Sequence, residues 1–265
     1  MSALRWAVSS AATFLLLAAA SAEVSHTALD CTAPQEMTRF TVGLPNTARA
    51  IRSGKAMVIV AIGSSSTKGV GASDPAHTYP ALLAEELHRR WPQLEVTVIN
   101  KGISGEIASQ MLARFERDVL PYRPQLVIWQ TGSNQVLRSG GIEGYADTIR
   151  EGISRLKTAG LDVVLMDPQF APRILARPVH LPIVDSISAV ANDMKVAVFR
   201  RFAVMRHWIS SGQYKIEDII SSDGLHMNDV SYSCIARLLA DSLVAAAEPE
   251  THGRRRSEGA RDASR

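Results

Sequence analysis

Two short segments, far apart in the chain, carry residue types that perform nucleophilic catalysis. The first, GSSS, contains three consecutive serines at positions 64–66, and the second, DGLHMND, places Asp223 three residues before His226. A serine hydroxyl is a weak nucleophile until a base such as histidine removes its proton during attack. Residues i and i+3 at the start of a helix face the same way, so Asp223 can reach the imidazole Nδ1 and fix its tautomer. The two segments therefore predict serine–histidine–aspartate chemistry.

Two other glycine-and-serine motifs are excluded by the order of the residues. A phosphate-binding P-loop needs a glycine, four residues and then Gly-Lys-Ser/Thr, whereas here Lys68 precedes Gly69. The nucleophile elbow Gly-x-Ser-x-Gly needs a second glycine where this chain has Thr67. Neither a nucleotide phosphate site nor an α/β-hydrolase elbow is predicted.

A regular alternation of apolar and amphipathic segments, beginning at Met57, must position these residues. Five short apolar runs predict strands, namely MVIVAIG, LEVTVIN, QLVIWQTG, LDVVLMDP and KVAVF. The segments between them predict helices, among which IASQMLARFERDVL is expected to be one continuous element. Strands separated by helices form a parallel sheet with right-handed crossovers, so the predicted fold class is α/β, a three-layer α/β/α sandwich. Ligands bind at the carboxyl ends of such strands.

Four small or polar clusters occur in order along this alternation and together resemble the SGNH (GDSL-type) hydrolase family. They are AIGSSSTKG, NKGISGE, TGSN and DGLHMND, within residues 57–247. One position differs, because Ser64 stands where most members of that family have aspartate. That aspartate is not the nucleophile, so the difference concerns hydrogen bonding around the serine turn and not hydrolysis itself. The resemblance implies a flavodoxin-like sheet of five parallel strands in the order 2-1-3-4-5.

The resemblance also implies an activity and assigns the catalytic residues. Ser65 would be the nucleophile, His226 its general base and Asp223 the carboxylate that orients the histidine. The implied enzyme is a serine ester hydrolase that acts through an acyl-enzyme, within a family of lipases, lysophospholipases, thioesterases and carbohydrate O-deacetylases. Two alternatives remain open: an acyltransferase, which uses the same triad but excludes water, and a non-catalytic glycan-binding module.

The donors that would stabilise the tetrahedral intermediate are likewise implied by the resemblance. They are the backbone N–H groups of Ser65 and Gly105 and the side-chain amide of Asn134. A glycine suits this role because a backbone donor must approach the substrate without an intervening Cβ. Gly102, in the same cluster, is a competing candidate for the glycine donor.

Residues after the fourth predicted strand could line the acyl or alcohol pocket. Asp167, Gln169 and Phe170 are the candidates, because this strand end shares the edge of the sheet with the clusters above. A turn formed by the Asp-Pro pair is an equally good interpretation. Neither a cofactor nor a metal ion is expected, since two cysteines are too few for a structural zinc site.

The N-terminus predicts export from the cytoplasm. Arg5 precedes an apolar stretch, and Ala20-Ser21-Ala22 forms a cleavage signal, so residues 1–22 are predicted to be a secretory signal peptide. An uncleaved N-terminal anchor is the alternative. We therefore expect a periplasmic or secreted protein, with no stable membrane span once the signal is removed.

The exported compartment bears on the two cysteines, Cys31 and Cys234. Paired cysteines are common in exported proteins, and a bridge would join the N-terminal extension to the last helix. A buried, free Cys234 is nearly as good an interpretation, because the sequence around it predicts an apolar helix face.

The composition is that of a globular protein and bears on the expected partners. The 265 residues include 46% hydrophobic and 21% charged residues, and the net charge of +3 is not gathered into a basic stripe, so no nucleic-acid partner is expected. The expected partners are small-molecule, glycan or lipid esters.

We divide the chain into a signal peptide (1–22), an N-terminal extension (23–55), a hydrolase domain (56–247) and a disordered tail (248–265).

Overall fold

The computed structural model describes residues 29–138 and 142–247, which include one five-stranded sheet with helices on both sides. The strands are β1 (Met57–Gly63), β2 (Val96–Gly102), β3 (Leu126–Gln130), β4 (Asp162–Met166) and β5 (Ala197–Phe199). All neighbouring strands are parallel, in the order β2-β1-β3-β4-β5. The predicted fold class and strand order are confirmed. The predicted signal peptide and C-terminal tail lie outside the described residues.

Helices connect the strands and cover the sheet. Within the described ranges they are α1 (Gln35–Thr38), α2 (Pro45–Ser53), α3 (Ser65–Lys68), α4 (Tyr79–Arg90), α5 (Ala108–Leu112), α6 (Phe115–Asp118), α7 (Ser133–Leu137), α8 (Tyr145–Thr158), α9 (Pro172–Leu175), α10 (His180–Met194), α11 (Arg201–Ser210), α12 (Ile216–Ile219) and α13 (Asp229–Ala247). Short 3₁₀ helices span Pro75–His77 and Leu120–Tyr122. Helix α4 packs against α13, and α8 packs against α5 and α10.

The strands β3 and β4 are buried along their whole length, which is why their sequences are continuous apolar runs rather than alternating ones. The edge strand β2 is only partly buried. Helix α13 is apolar and long enough to cross a membrane by length and composition, but in this fold most of it is buried against the rest of the domain. Its apolar character therefore contributes to the core.

The predicted continuous helix over IASQMLARFERDVL is wrong, because the structure breaks it between α5 and α6. At the break, the Arg114 side chain turns into the protein and is only 5% exposed. Its Nη2 donates hydrogen bonds to the carbonyl oxygens of Gly63, at 3.2 Å, and Lys101, at 2.8 Å. The interruption thus brings a guanidinium group to the carboxyl ends of β1 and β2.

The N-terminal extension is tied to the domain at two points. A disulfide joins Cys31 to Cys234 in α13. In α2, the Thr47 backbone N–H and hydroxyl both donate to the carboxylate of Asp162, the first residue of β4, at 2.7 and 2.9 Å. The described part of the extension, residues 29–55, contains α1 and α2. Residues 29–55 therefore pack against the hydrolase domain as part of its structure.

Removal of the disulfide should destabilise the protein substantially. We expect the Cys31→Ser/Cys234→Ala double variant to lose about 2–5 kcal/mol of unfolding free energy, because the bridge restricts the unfolded chain by closing a long loop. The two cysteines are 203 residues apart. Urea unfolding of the wild type and the variant measures the difference. A thiol titration of the denatured, unreduced wild type should find no free thiol, and two free thiols would contradict the bridge.

Candidate active site

The serine turn after β1 leaves one of its three hydroxyls facing outwards. The Ser64 N–H and hydroxyl both donate to Gln130 Oε1, at 2.9 and 3.0 Å, and the Ser66 hydroxyl donates to Gln169 Oε1 at 3.3 Å. Ser64 and Ser66 are each 1% exposed, whereas Ser65, the first residue of α3, is half-buried. The interior bonds of its neighbours therefore select Ser65 as the accessible hydroxyl.

Ser65 is in contact with the predicted histidine, which in turn contacts the predicted aspartate. The Ser65 Oγ lies 2.8 Å from His226 Nε2. On the other side of the ring, His226 Nδ1 is hydrogen-bonded to Asp223 Oδ2. This is the geometry in which the imidazole can take the serine proton through Nε2 while the carboxylate holds the Nδ1–H tautomer.

The loop that carries Asp223 is arranged to keep its carboxylate ionised. Burial alone would raise the pKa of Asp223, but hydrogen bonds outweigh it and hold the pKa well below its usual range. These bonds come from the backbone and ring of His226, the Leu225 N–H and the Ser221 hydroxyl. The carboxylate therefore stays negative over the pH range in which histidine titrates, as a partner for a developing imidazolium must.

The two candidate glycine donors in the loop after β2 differ in whether their N–H group is already bonded. The Gly102 N–H donates to Asn100 Oδ1 at 2.9 Å and is therefore occupied. A Cβ on Gly102 would lie 2.0 Å from the Lys68 nitrogen, so this glycine serves close packing against α3. Gly105 has a φ of 82°, and neither its N–H nor that of Ser65 meets an acceptor within the part of the chain that the structure describes.

The third candidate donor, Asn134, is oriented by the same loop. Its Nδ2 donates one hydrogen to the Glu106 carbonyl at 2.9 Å, which fixes the amide plane and leaves the second hydrogen for a ligand. Arg138 Nη2 donates to the Gly105 carbonyl at 2.6 Å. The carbonyls of Gly105 and Glu106 are thus both held by side chains from or beside α7, which restrains the loop around Gly105.

Two buried residues, neither of them predicted from the sequence, hold the serine turn and the loop after β2 in place. Gln130, the last residue of β3, accepts from both Ser64 groups and from the Thr67 hydroxyl, at 3.2 Å. Its amide orientation is fixed because the Ser64 N–H requires an acceptor, and its Nε2 has no partner among the described residues. The available signal was a glutamine inside an otherwise apolar run, which marks a buried polar side chain that needs partners.

Arg114 is the second missed residue. It joins the serine turn to the loop after β2 through the Gly63 and Lys101 carbonyls described above. Its charge is balanced by Glu106 at 2.7 Å and Asp118 at 3.1 Å. The signal in the sequence was an arginine three residues after Met111, on the apolar stripe of a predicted helix.

The prediction that Asp167 and Gln169 line a substrate pocket is corrected by their burial. Each is 1% exposed. Asp167 accepts from the Phe202 N–H at 2.8 Å, and burial raises its pKa to about 7. Gln169 accepts from the Ser66 hydroxyl and donates to the Leu225 carbonyl at 2.9 Å, so it connects the serine turn to the loop that carries His226 from inside. Phe170 is half-buried and packs edge-on against the Phe202 ring.

Comparison with known proteins identifies relatives of this chain. The model of the non-GDSL lipase-like family matches residues 30–249. An arylesterase from Vibrio mimicus is 28% identical over 167 residues, 63% of this chain and 78% of the relative. An acetylxylan esterase from Geobacillus stearothermophilus is 30% identical over 100 residues, 34% of this chain and 46% of the relative. A solved structure of a two-domain esterase active on acetylated mannans aligns with a TM-score of 0.67 at 23% identity, over 81% of this chain and 57% of that one.

The matches to solved structures confirm the fold, and the family model and the two curated relatives named above, both esterases, support an SGNH-type ester hydrolase. The chain belongs to the non-GDSL lipase-like family. The family description agrees with Ser64 at the position where a GDSL motif has aspartate. The predicted resemblance to SGNH-type hydrolases and the predicted ester hydrolase class are confirmed at this level.

Replacement of Gln130 should lower kcat/KM while leaving the protein folded. In Gln130→Leu the Ser64 N–H loses its buried acceptor, which typically costs about 1–3 kcal/mol and lets the serine turn move. Small displacements of catalytic groups can reduce rates about 100-fold, so we expect kcat/KM for p-nitrophenyl acetate to fall about 10- to 100-fold. Gln135→Leu is the matched control, since Gln135 is also buried and its Oε1 has no partner in the described chain. Equal kcat/KM values for the two variants, at equal melting temperatures, would contradict a positioning role.

Proposed function

We propose that this chain is a secreted or periplasmic serine esterase that hydrolyses carboxylic esters through an acyl-enzyme on Ser65. The single observation that carries the proposal is the 2.8 Å contact between the Ser65 hydroxyl and His226 Nε2, with Asp223 bonded to the other ring nitrogen. A non-catalytic glycan-binding module would not require these three groups in line. The relatives named above are esterases, which supports the same reaction class.

In the first half of the reaction, Ser65 Oγ attacks the ester carbonyl carbon while His226 Nε2 accepts the hydroxyl proton. The carbonyl oxygen becomes an oxyanion, and the imidazolium is stabilised by the ionised Asp223. When the tetrahedral intermediate collapses, the ester C–O bond breaks and His226 returns its proton to the leaving alcohol. The acyl group remains on Ser65.

The oxyanion is the species that the free donors would stabilise. We assign the N–H groups of Ser65 and Gly105 and the second amide hydrogen of Asn134 to this role. Fixed donors of this kind need no reorganisation when charge develops, and loss of one typically costs about 3 kcal/mol in the barrier. The Arg138 and Glu106 contacts of the loop support such preorganisation.

In the second half, water takes the place of the alcohol. His226 removes a proton from water as its oxygen attacks the acyl carbon, and the same proton then returns to Ser65 Oγ as the carboxylic acid leaves. An acyltransferase would differ only in using a second alcohol in this step. The half-buried position of Ser65 is open enough for water, which supports hydrolysis.

We place the enzyme outside the cytoplasm on two independent grounds. The sequence of residues 1–22 has the features of a secretory signal, with a mature chain starting near residue 23. The Cys31–Cys234 disulfide supports an oxidising compartment, where structural bridges form and persist.

The substrate is proposed to be an ester with a short acyl group. On the interior side of the nucleophile turn, Gln169 Oε1 accepts from both Ser66 and Ser133, at 3.3 and 2.9 Å, so that side is filled by bonded side chains. An acyl chain on Ser65 must therefore extend along the surface of the domain. The acetylated glycans named for two of the relatives are esters of this kind, and they support glycan acetyl esters as the substrate class.

The proposal is tested with p-nitrophenyl esters of increasing acyl length and with acetylated xylo- and manno-oligosaccharides. We expect activity to be highest for acetyl esters and to fall at least about 1,000-fold in Ser65→Ala, because the nucleophile is lost. Steady-state kinetics and release of acetate measure both effects.

Ser64→Ala and Ser66→Ala are the matched controls, since they remove neighbouring hydroxyls that face the interior. Both should retain far more activity than Ser65→Ala. A Ser65→Ala enzyme with wild-type kcat/KM would overturn the assignment of the nucleophile. An optimum at long acyl chains would overturn the proposed substrate class and leave the nucleophile unaffected.

A further inference from the structure

A cavity lies at the end of the sheet opposite to Ser65. It has a volume of about 560 Å³ and is formed by α2 and by the segments that immediately precede β1, β3 and β4. These segments approach the amino ends of the parallel strands, whereas Ser65 follows the carboxyl end of β1. Because β1 has seven residues at about 3.3 Å each, the two sites are roughly 20 Å apart.

The cavity carries positive charge that has no acidic partner. Arg49, Lys55 and Arg123 line it, and in the described part of the chain none of the three forms an ion pair. The nearby carboxylate, Asp162, is 6% exposed and is turned inwards onto Thr47 and Asn46. An anion entering the cavity would therefore meet three cations and no competing carboxylate on the surface.

The neutral polar side chains of the cavity are already bonded within the protein. Asn46 donates to Asp162 at 3.0 Å and accepts from Arg49 at 3.2 Å. Gln125 accepts from the Val58 N–H at 2.8 Å, and its amide donates to the Arg123 carbonyl at 3.3 Å. A ligand in the cavity would therefore contact mainly the charged side chains rather than these neutral polar groups.

The rest of the lining is apolar. Leu120, Pro124 and Leu161 contribute to the walls, and Pro124 is buried while the two leucines are half-buried. A volume of this size is in the range that holds small organic ligands, which bind to apolar walls with a few polar groups that fix their orientation. The cavity combines an apolar surface with unpaired cations at its rim.

We propose that this cavity is a binding site for an amphipathic organic anion, with its carboxylate or phosphate head on Arg49, Lys55 and Arg123 and its apolar body against Leu120, Pro124 and Leu161. Guanidinium groups bind such heads through paired N–H donors. Acetate, the acid released from the acetyl esters proposed above, lacks an apolar body and falls outside this class. The proposal does not depend on the identity of the nucleophile.

The test is a titration of the ¹⁵N-labelled protein, followed by NMR, with four probes. They are octanoate, octyl phosphate, the neutral 1-octanol and the tailless acetate. We expect octanoate and octyl phosphate to shift amide signals in residues 46–56, 120–125 and 159–161, and to bind at least about ten-fold more tightly than 1-octanol or acetate. Acceptance of only one of the two anions would identify the head group.

The variant Arg49→Gln/Lys55→Gln/Arg123→Gln should weaken octanoate binding about ten-fold or more, since each exposed charge contributes modestly and three are removed. Arg52→Gln, on the same helix but outside the cavity lining, is the matched control and should leave the affinity unchanged. The NMR spectrum reports directly that each variant is folded. Unchanged affinity in the triple variant, equal binding of 1-octanol, or shifts confined to residues around Ser65 and His226 would each overturn the proposal.

Discussion

The hydrogen bond between Ser65 and His226 is the contact on which the rest of the site depends, because it joins residues that are 161 positions apart in the chain. It can form only if the end of β1 and the loop before α13 meet at one edge of the sheet. The parallel order of strands brings them there, and Gln169 links the two from inside by bonding both Ser66 and the Leu225 carbonyl. The disulfide adds a further restraint on α13, the helix that follows His226.

Ser64, which stands where a GDSL motif has aspartate, is hydrogen-bonded to Gln130. The N–H and the hydroxyl of Ser64 both donate to Gln130 Oε1, so the last residue of β3 holds the turn that follows β1. Arg114 holds the same turn from the other side through the Gly63 carbonyl. The serine turn is therefore held by buried polar groups of neighbouring elements. Buried hydrogen bonds of this kind restrict the turn to one arrangement.

Much of this arrangement could be predicted because it follows from patterns in the sequence. Apolar runs separated by amphipathic segments predict the parallel sheet, and Asp223 and His226 are close in sequence, so their pairing is local. The roles of Gln130 and Arg114 could not be predicted, since their partners are backbone and side-chain groups from other elements. The prediction that Asp167 and Gln169 line a pocket is wrong for a related reason: a position at a strand end gives the edge of the sheet but not whether a side chain turns outwards or inwards.

The most direct measurement is covalent labelling with a p-nitrophenyl alkylphosphonate, followed by intact-mass analysis and peptide mapping. A phosphonate ester reacts only with a nucleophile that is activated by a base, so it reports the Ser65–His226 contact rather than the presence of a serine. The account predicts one adduct per chain, located on Ser65, formed at the rate at which ester hydrolysis is lost and greatly slowed in His226→Ala. An adduct on Ser64 or Ser66, or complete loss of activity with Ser65 unmodified, would contradict it.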